Sequence, residues 1–286
     1  MKKPSPKQSA RRVSLSVSMV TYNSSFDLLC QSVDSLQRAL DWARQRGCDI
    51  ELQLLLVDNS TDPVYRSRVQ QFITSEVQQK FDAVQCWHPG ANIGYGAAHN
   101  QALAKTESDY HLLMNPDVQL AKNSLLQGLR FLQQQSDVVM VSPRATNAQG
   151  QIQYLCKRYP SVLVLVLRAF APGFLRSWFR SYLQSYEIRE LCGEKGVAEV
   201  PLVSGCCMYA RTEALQAVAG FSDRYFMYFE DFDLSLRLHR VGRLVYLPKM
   251  HIVHHGGYSA RKGWRHITMF VHSGWKFFWR HGWCWI

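Results

Sequence analysis

No apolar run in this chain approaches the ~18 residues that a membrane-spanning helix needs. The longest candidate, Val162 to Leu167, suits a core strand or a helix turn. The amino terminus is charged and carries no apolar h-region, so a secretory signal is not expected. Eight cysteines are present without zinc-ligand spacing, and Cys206 and Cys207 are adjacent. Reduced thiols in a cytosol are the expected state. A complete G-x-G-x-x-G is missing as well: the loop from Asn92 to Asn100 offers Gly94 and Gly96, but its sixth position is His99. As a dinucleotide fingerprint it is weak, whereas a glycine-hinged loop that closes on a ligand and starts a helix fits it better. Acids are scarce in three stretches. Residues 1–12 carry five Lys/Arg and no acid, residues 249–286 six and none, and residues 157–189 six against Glu187 alone.

The formal net charge is +11, so between these stretches the chain is net acidic. Basic flanks around an acidic centre argue against a nucleic-acid groove. Five of the eight tryptophans (Trp264, Trp275, Trp279, Trp283 and Trp285) lie in the basic tail. Tryptophan beside Lys/Arg at helical spacing fits a segment lying on an anionic bilayer surface. A solvated basic face or a tail packed on the domain would show the same composition. With 286 residues, 47% of them hydrophobic, the chain can build one large α/β domain or two small ones.

Val13 to Val20 alternates apolar residues with Ser14, Ser16 and Ser18, a period-2 strand. Thr21 to Ser24 is a turn able to cap the next helix, which buries Leu29, Val33, Leu36 and Leu40 and ends at Gly47. Leu52 to Val57 is a second strand that stops at Asp58. Pro63 opens a helix, Ala83 to Trp87 is a third strand, and a helix from about Ala97 leads to Tyr110–Met114. Leu125 to Leu132 is helical and Val138 to Ser142 extended, with a return strand from Gln151 to Leu155. Strand after helix, repeated, means a doubly wound α/β sheet. Between Pro160 and Tyr186 aromatic residues interleave with Arg168, Arg176 and Arg180, and an acceptor site, a lipid contact or a helical excursion on the core are all compatible with that.

Three stretches carry chemistry. In Asn115-Pro116-Asp117, proline ends a buried strand, and side chains two apart share a face, so an amide and a carboxylate can aim at one point. Oxygen ligands at a central strand's carboxyl end suit a hard divalent cation, although an Asn-Pro-Asp turn has the same sequence. Asp58 is placed for a ribose or base edge, or for capping a helix. Thr21 to Asn23 can line a base pocket or form a routine helix cap. His99 reads as a helix-surface residue. Glu230, Asp231 and Asp233 crowd a helix amino terminus just after Phe226 to Phe229; acids there can be caps, or a carboxylate shielded as a general base requires. Leu244 to Leu247 is extended, and Ile252-Val253-His254-His255-Gly256-Gly257 ends the set as a possible ligand pair.

In order, Thr21-Tyr22-Asn23, Val57-Asp58-Asn59, Asn92-x-Gly94-x-Gly96-x3-Asn100, Leu113-x-Asn115-Pro116-Asp117, Glu230-Asp231-x-Asp233 and His254-His255-Gly256-Gly257-x-Ser259 resemble family 2 glycosyltransferases, and among them the bacterial rhamnosyltransferase-like branch. The resemblance covers residues 13 to about 260. It implies a glycosyltransferase-A (Rossmann-like) fold, a mixed and mostly parallel sheet with helices on both faces, and inverting transfer from a nucleotide sugar assisted by Mg²⁺ or Mn²⁺. Residue by residue, Thr21, Asn23 and Asp58 would hold the nucleoside, and Asn92 and Gly94 would belong to the donor loop. Asn115 would contact the nucleotide sugar where the family usually has the first of two metal-binding acids. Asp117 and His254 would bind the metal, Asp231 would be the base, and Glu230 and Asp233 would position the acceptor. The implied donor is dTDP-L-rhamnose and the acceptor a cell-surface glycan or lipid-linked sugar; another UDP- or dTDP-sugar donor, or a non-catalytic nucleotide-sugar-binding module, are the alternatives. The expected organisation is a disordered basic arm at 1–12, a catalytic domain at 13–258 with an aromatic and basic excursion at 160–190, and a tail at 259–286. The expected location is the cytoplasm, peripheral on the inner face of the cytoplasmic membrane.

Overall fold

In a computed structural model of the chain, residues 12–193, 196–256 and 264–286 are described. The expected basic arm, apart from Arg12, and Gly257 and Ser259 of the last motif lie outside the described residues.

The first half follows the hydrophobic pattern closely. Strands β1 (Val13–Thr21), β2 (Ile50–Asp58), β3 (Ala83–Trp87) and β4 (Tyr110–Met114) alternate with α1 (Phe26–Arg44), α2 (Pro63–Phe72, running on into a π turn) and α3 (Tyr95–Leu103). Ser25, rather than the turn before it, caps α1 by accepting from Leu28 N; Asp62 caps α2, with Pro63 at its first position. Next come β5 (Val118–Leu120), α4 (Ser124–Gln134), β6 (Val138–Thr146) and the two-residue strands β7 (Ile152–Gln153) and β8 (Cys156–Lys157). The aromatic and basic excursion is three short helices, α5 (Val162–Phe170), α6 (Gly173–Trp178) and α7 (Arg180–Tyr186). The chain returns through β9 (Ala198–Glu199), β10 (Leu202–Val203), β11 (Cys207–Arg211), α8 (Thr212–Ala217), α9 (Glu230–Leu238), β12 (Arg243–His254) and α10 (Trp264–His281).

The main sheet runs β3-β2-β1-β4-β11-β6-β12-β5. β1, β2, β3 and β4 are parallel, β12 is parallel to β6, and β11 runs antiparallel between β4 and β6. The register pairs Thr21 with Asp58, so the polar ends of β1 and β2 meet at one edge, where an open α/β sheet binds its ligands. Leu52, Leu54 and Leu56 pack with α1 on one face, while Leu55 and Val57 pack with Ala98 and Ala102 of α3 on the other.

Two readings change. On the serine face of β1, Ser16 and Ser18 are buried and hold His111, with Oγ atoms 2.6 Å from its Nδ1 and 2.8 Å from its Nε2. His99, expected on a helix surface, is buried in the same network, Nδ1 2.7 Å from Ser18 Oγ. A short hydroxyl can be buried when an imidazole satisfies it, and alternation cannot distinguish that partner from water. The two extended stretches at 244–247 and 252–254 are one strand, β12, interrupted by a register shift between Leu247 and His251. Pro248 lies inside that shift, where a missing ladder donor is tolerated.

Candidate active site

A cleft of about 590 Å³ opens at the carboxyl ends of β1, β2 and β4, lined by Asn23, Asn59, Asn92, Tyr95, Asn115 and Asp117 among others. Asn23 sits at φ 45°, a left-handed turn that asparagine tolerates, and its N–H donates to Ser60 Oγ at 2.8 Å. Asn59 donates from Nδ2 to Gly94 O (3.0 Å), while its buried Oδ1 has no hydrogen-bond partner. Asn92 Oδ1 accepts from Gly94 N at 3.0 Å, a local turn that opens α3.

Three expected nucleotide residues stand behind this wall rather than on it. Thr21 is fully buried and donates its hydroxyl to Asp58 Oδ1 (3.0 Å). Asp58 also accepts from Ser60 N and lines an adjacent depression with Trp87 and His88. At Gly94 (φ 90°) an added Cβ would stand 2.4 Å from the Phe226 carbonyl oxygen, and at Gly96 one would stand 2.7 Å from the Phe221 Cβ. Those glycines let α3 dock against residues 221–226, a packing requirement.

The strand order brings Asp117 and His254 together. β12 pairs with β5 so that His254 lies opposite Val118, and His255 N donates to Asp117 O at 3.0 Å. His254 Nε2 is 3.6 Å from Asp117 Oδ1. Gln153 donates from Nε2 to His254 O (3.0 Å), which turns its Oε1 toward His254 Nδ1 at 2.8 Å. An amide oxygen only accepts, so the imidazole proton belongs on Nδ1. Burial holds the His254 pKa below the usual imidazole value, against the opposing charge of Asp117, which keeps the ring neutral. Nε2 therefore turns a lone pair toward Asp117 Oδ1, itself buried and without a hydrogen-bond partner. Two acceptors facing each other with no proton between them are unfavourable alone and well matched to a shared cation. Among the described residues no cluster of three or more His, Cys, Asp or Glu exists, so a cation here would take its remaining ligands from something bound in the cleft.

Asp231 is not in the lining of this cleft; it borders two neighbouring hollows. Its Oδ2 accepts from Gly205 N (2.9 Å) and its Oδ1 from Phe232 N (2.9 Å). Gly205 O accepts from the Tyr95 hydroxyl (2.5 Å), whose oxygen is also 3.0 Å from Asn115 Oδ1. The Cys206 thiol senses both carboxylates: burial, then the charge of Asp117 and more weakly that of Asp231, push it up to about 12. A chain of hydrogen bonds from Asn115 through Tyr95 and Gly205 thus links the Asp117 cleft to Asp231. Burial raises the Asp231 pKa, opposed by the two backbone N–H groups. The neighbouring Glu230 is buried, its Oε2 has no partner, and burial with the Asp231 charge raises its pKa too.

Asp233 departs from its expected acceptor role. It is fully buried and accepts from Arg237 Nε (2.7 Å), with His281 Nε2 at 2.7 Å and Arg280 Nη1 at 3.3 Å from its other oxygen. Despite burial its pKa is lowered, through His281 and Arg237. One oxygen ties α10 onto α9 and the other is held by Arg237 of α9 itself, so none is left for a substrate.

Residues 16–218 match the family model described as Glycosyl transferase family 2. The chain belongs to that family. It is 29% identical over 249 residues to N-acetylglucosaminyl-diphospho-decaprenol L-rhamnosyltransferase of Mycobacterium tuberculosis, covering 78% of this chain and 76% of that one. It is 27% identical over 184 residues to rhamnosyltransferase WbbL of Escherichia coli, covering 60% of this chain and 64% of that one. Among solved structures it resembles GalNAc-T7 with UDP, GalNAc and Mn²⁺ (TM-score 0.61, 13% identity, 85% of this chain and 43% of that one). It also resembles the mannosyltransferase PcManGT from Pyrobaculum calidifontis with GDP-Man and Mn²⁺ (TM-score 0.59, 18% identity, 87% and 59%). At such identities the likeness is one of fold, the glycosyltransferase-A fold. This family 2 glycosyltransferase carries α9 and β12 beyond the matched residues, so Asp231 and His254 are placed by geometry alone. Sequence reasoning missed Asn59, Tyr95, Gln153 and Gly205 as site residues. Asn59 and Tyr95 sit inside motifs already singled out, whereas Gln153 and Gly205 carry no local signal.

Proposed function

We propose that this glycosyltransferase moves L-rhamnose from dTDP-rhamnose to a hydroxyl of a lipid-linked or cell-surface glycan, with inversion at the anomeric carbon. The observation that carries this reading is the lone-pair encounter of Asp117 Oδ1 and His254 Nε2, with Asp231 linked to that cleft through Gly205, Tyr95 and Asn115. The names of the two rhamnosyltransferase relatives favour the sugar, and the first of them favours an acceptor carried on a lipid diphosphate.

Asp117 and His254 would hold a divalent cation, Mn²⁺ or Mg²⁺, which when bound neutralises the leaving diphosphate as a Lewis acid. One carboxylate with few further protein ligands is how such ions are held at phosphate sites, and the imidazole favours Mn²⁺, the ion in both structural relatives. Asn23, Asn59, Asn92 and Asn115 offer neutral donors and acceptors to the nucleotide sugar, with Thr21 and Asp58 fixing the strand ends behind them. Asp231 takes the proton of the acceptor hydroxyl as it attacks the face opposite the diphosphate. A single displacement inverts the centre. Glu230, buried beside Asp231, helps to position the acceptor. The proposed location is the inner face of the cytoplasmic membrane; among the described residues no helix is long and apolar enough to cross a membrane.

Asp231→Asn tests the reading. Loss of a general base costs ~10²–10⁴-fold in rate, so transfer should fall by that much while calorimetry shows donor affinity unchanged. A folded variant that transfers at near wild-type rate overturns the assignment.

A further inference from the structure

Beyond Asp231 the site continues into a second groove, of about 640 Å³, between α5 and α7 on one side and α9 and α10 on the other. Its walls are mainly aromatic and apolar (Leu165, Phe170, Tyr186, Tyr228, Phe232, Phe270), and Asp231 stands at one end. Two cations, Lys157 and Arg168, line both this groove and a smaller cavity that Asp231 also borders. Lys157 comes from β8, paired with β10 just before Gly205, the residue that donates to Asp231. Its amine donates to Tyr154 O, lies 5.9 Å from the centre of the Tyr186 ring, and makes no ion pair within 4 Å among the described residues. Arg168 donates to Glu187 Oε1 (2.6 Å), but Glu187 is shared with Arg189 through its other oxygen (2.5 Å). Three cations, Lys157, Arg168 and Arg189, thus line the smaller cavity against two carboxylates, Glu187 and Asp231, a surplus of positive charge beside the base. Burial, then Arg168, bring the Lys157 amine down to about 8, against the charge of Glu187, which it shares with both arginines.

We propose that this groove is the acceptor site, with Lys157 and Arg168 holding the phosphate or diphosphate ester of the acceptor, its sugar hydroxyl at Asp231 and its apolar tail along the aromatic wall. The inference rests on the glycosyl-transfer reading and adds to it the group that marks an acceptor as correct. An uncharged glycan would leave the surplus charge unpaired, so the site discriminates against it.

The test measures binding, which needs no turnover. Two probes are titrated into the full chain with nucleoside diphosphate and Mn²⁺: N-acetylglucosaminyl-diphospho-citronellol and the neutral citronellyl N-acetylglucosaminide. A charge-assisted contact of this kind corresponds to about tenfold or more in affinity, so the wild type should bind the diphosphate probe that much more tightly. The ratio should fall to within about twofold in Lys157→Gln and in Arg168→Gln, and Lys157→Arg should restore most of it, with donor affinity reporting that each variant is folded. A wild-type ratio near one, or a ratio retained in both glutamine variants, overturns the inference. Sedimentation with phosphatidylglycerol vesicles separates the two sources of phosphate: Lys157→Gln should sediment like wild type, and a parallel loss would assign the pair to bilayer headgroups and overturn the acceptor site. If the ratio behaves as expected but the wild type transfers no sugar, the transfer reading fails and the anion site stands.

Discussion

Gln153 touches neither the cleft nor a cation, yet it decides what His254 can do. By accepting from Nδ1 and donating to the same residue's carbonyl, it fixes both the tautomer and the plane of the ring. Outer partners of this kind are worth ~10–100-fold in metal affinity. Gln153→Ala should therefore raise the Mn²⁺ concentration for half-maximal transfer by about that factor, with the rate at saturating Mn²⁺ near wild type. An unchanged metal titration would remove Gln153 from the site. The spacing of Asn115 and Asp117 was readable because it is local: proline stops the strand, and a period of two puts both side chains on one face. The Gln153–His254 pair spans 101 residues, and no periodicity marks it. Of the two adjacent histidines, His254 pairs opposite Val118 and faces Asp117, while His255 keeps a buried Nε2 without a hydrogen-bond partner.

At the scale of elements, α9 shows how one sequence feature divides into two jobs. Three acids at a helix start satisfy the dipole equally well, and only the surroundings separate them. Phe229, at φ 64°, follows Tyr228, at φ 70°, and this left-handed pair turns the chain so that Asp231 meets Gly205 while Asp233 points back into the core. Both aromatic rings are gripped by α10: Phe229 packs on Phe270 and Phe277, and Tyr228 OH lies 3.0 Å from His266 Nδ1. Helix α10 is consequently part of the scaffold of the site, not a detachable tail. Removing one partner of a buried ionic cluster costs ~3–5 kcal/mol, so Asp233→Asn should destabilise the chain by roughly 3 kcal/mol in urea melts at neutral pH. The sign of the pH dependence follows from a carboxyl whose folded pKa lies below its ordinary value. Its contribution is present above the unfolded pKa and is lost as pH falls through the folded one, so the gap between wild type and variant should close on the acid side of pH 4. A gap that persists unchanged in acid would assign the loss to packing. Composition marked this region as aromatic and basic but could not say which rings face inward, because both faces of α10 are rich in them.

For the whole molecule, that second face becomes the question. Phe270, Gly274, Phe277 and His281 form the inner stripe of α10, while Trp264, Val271, Trp275 and Trp279 form an exposed one. Trp275 and Trp279 stack at 5.5 Å with 52% and 70% of their surfaces exposed. The end of the chain brings the excursion alongside, since Val162 N donates to Cys284 O and Leu163 N to Trp285 O. Helices α5 and α6 add exposed Phe170, Phe174 and Trp178 to the same assembly. Both contributing stretches carry a surplus of Lys and Arg. Exposed tryptophan with basic residues is the composition of a surface that rests in an anionic interface without crossing it. Deleting residues 264–286 would be a poor test of this, because it also strips buried Phe277 from the core and His281 from Asp233. Substituting only the outer rings avoids that: Trp275→Ser with Trp279→Ser should leave melting temperature and transfer to a short soluble acceptor near wild type. Sedimentation with phosphatidylglycerol vesicles should drop about tenfold or more, as loss of two interfacial anchors implies, and the wild-type binding should weaken as salt is raised. Vesicle binding that survives the double substitution would mean that the exposed stripe meets some other surface.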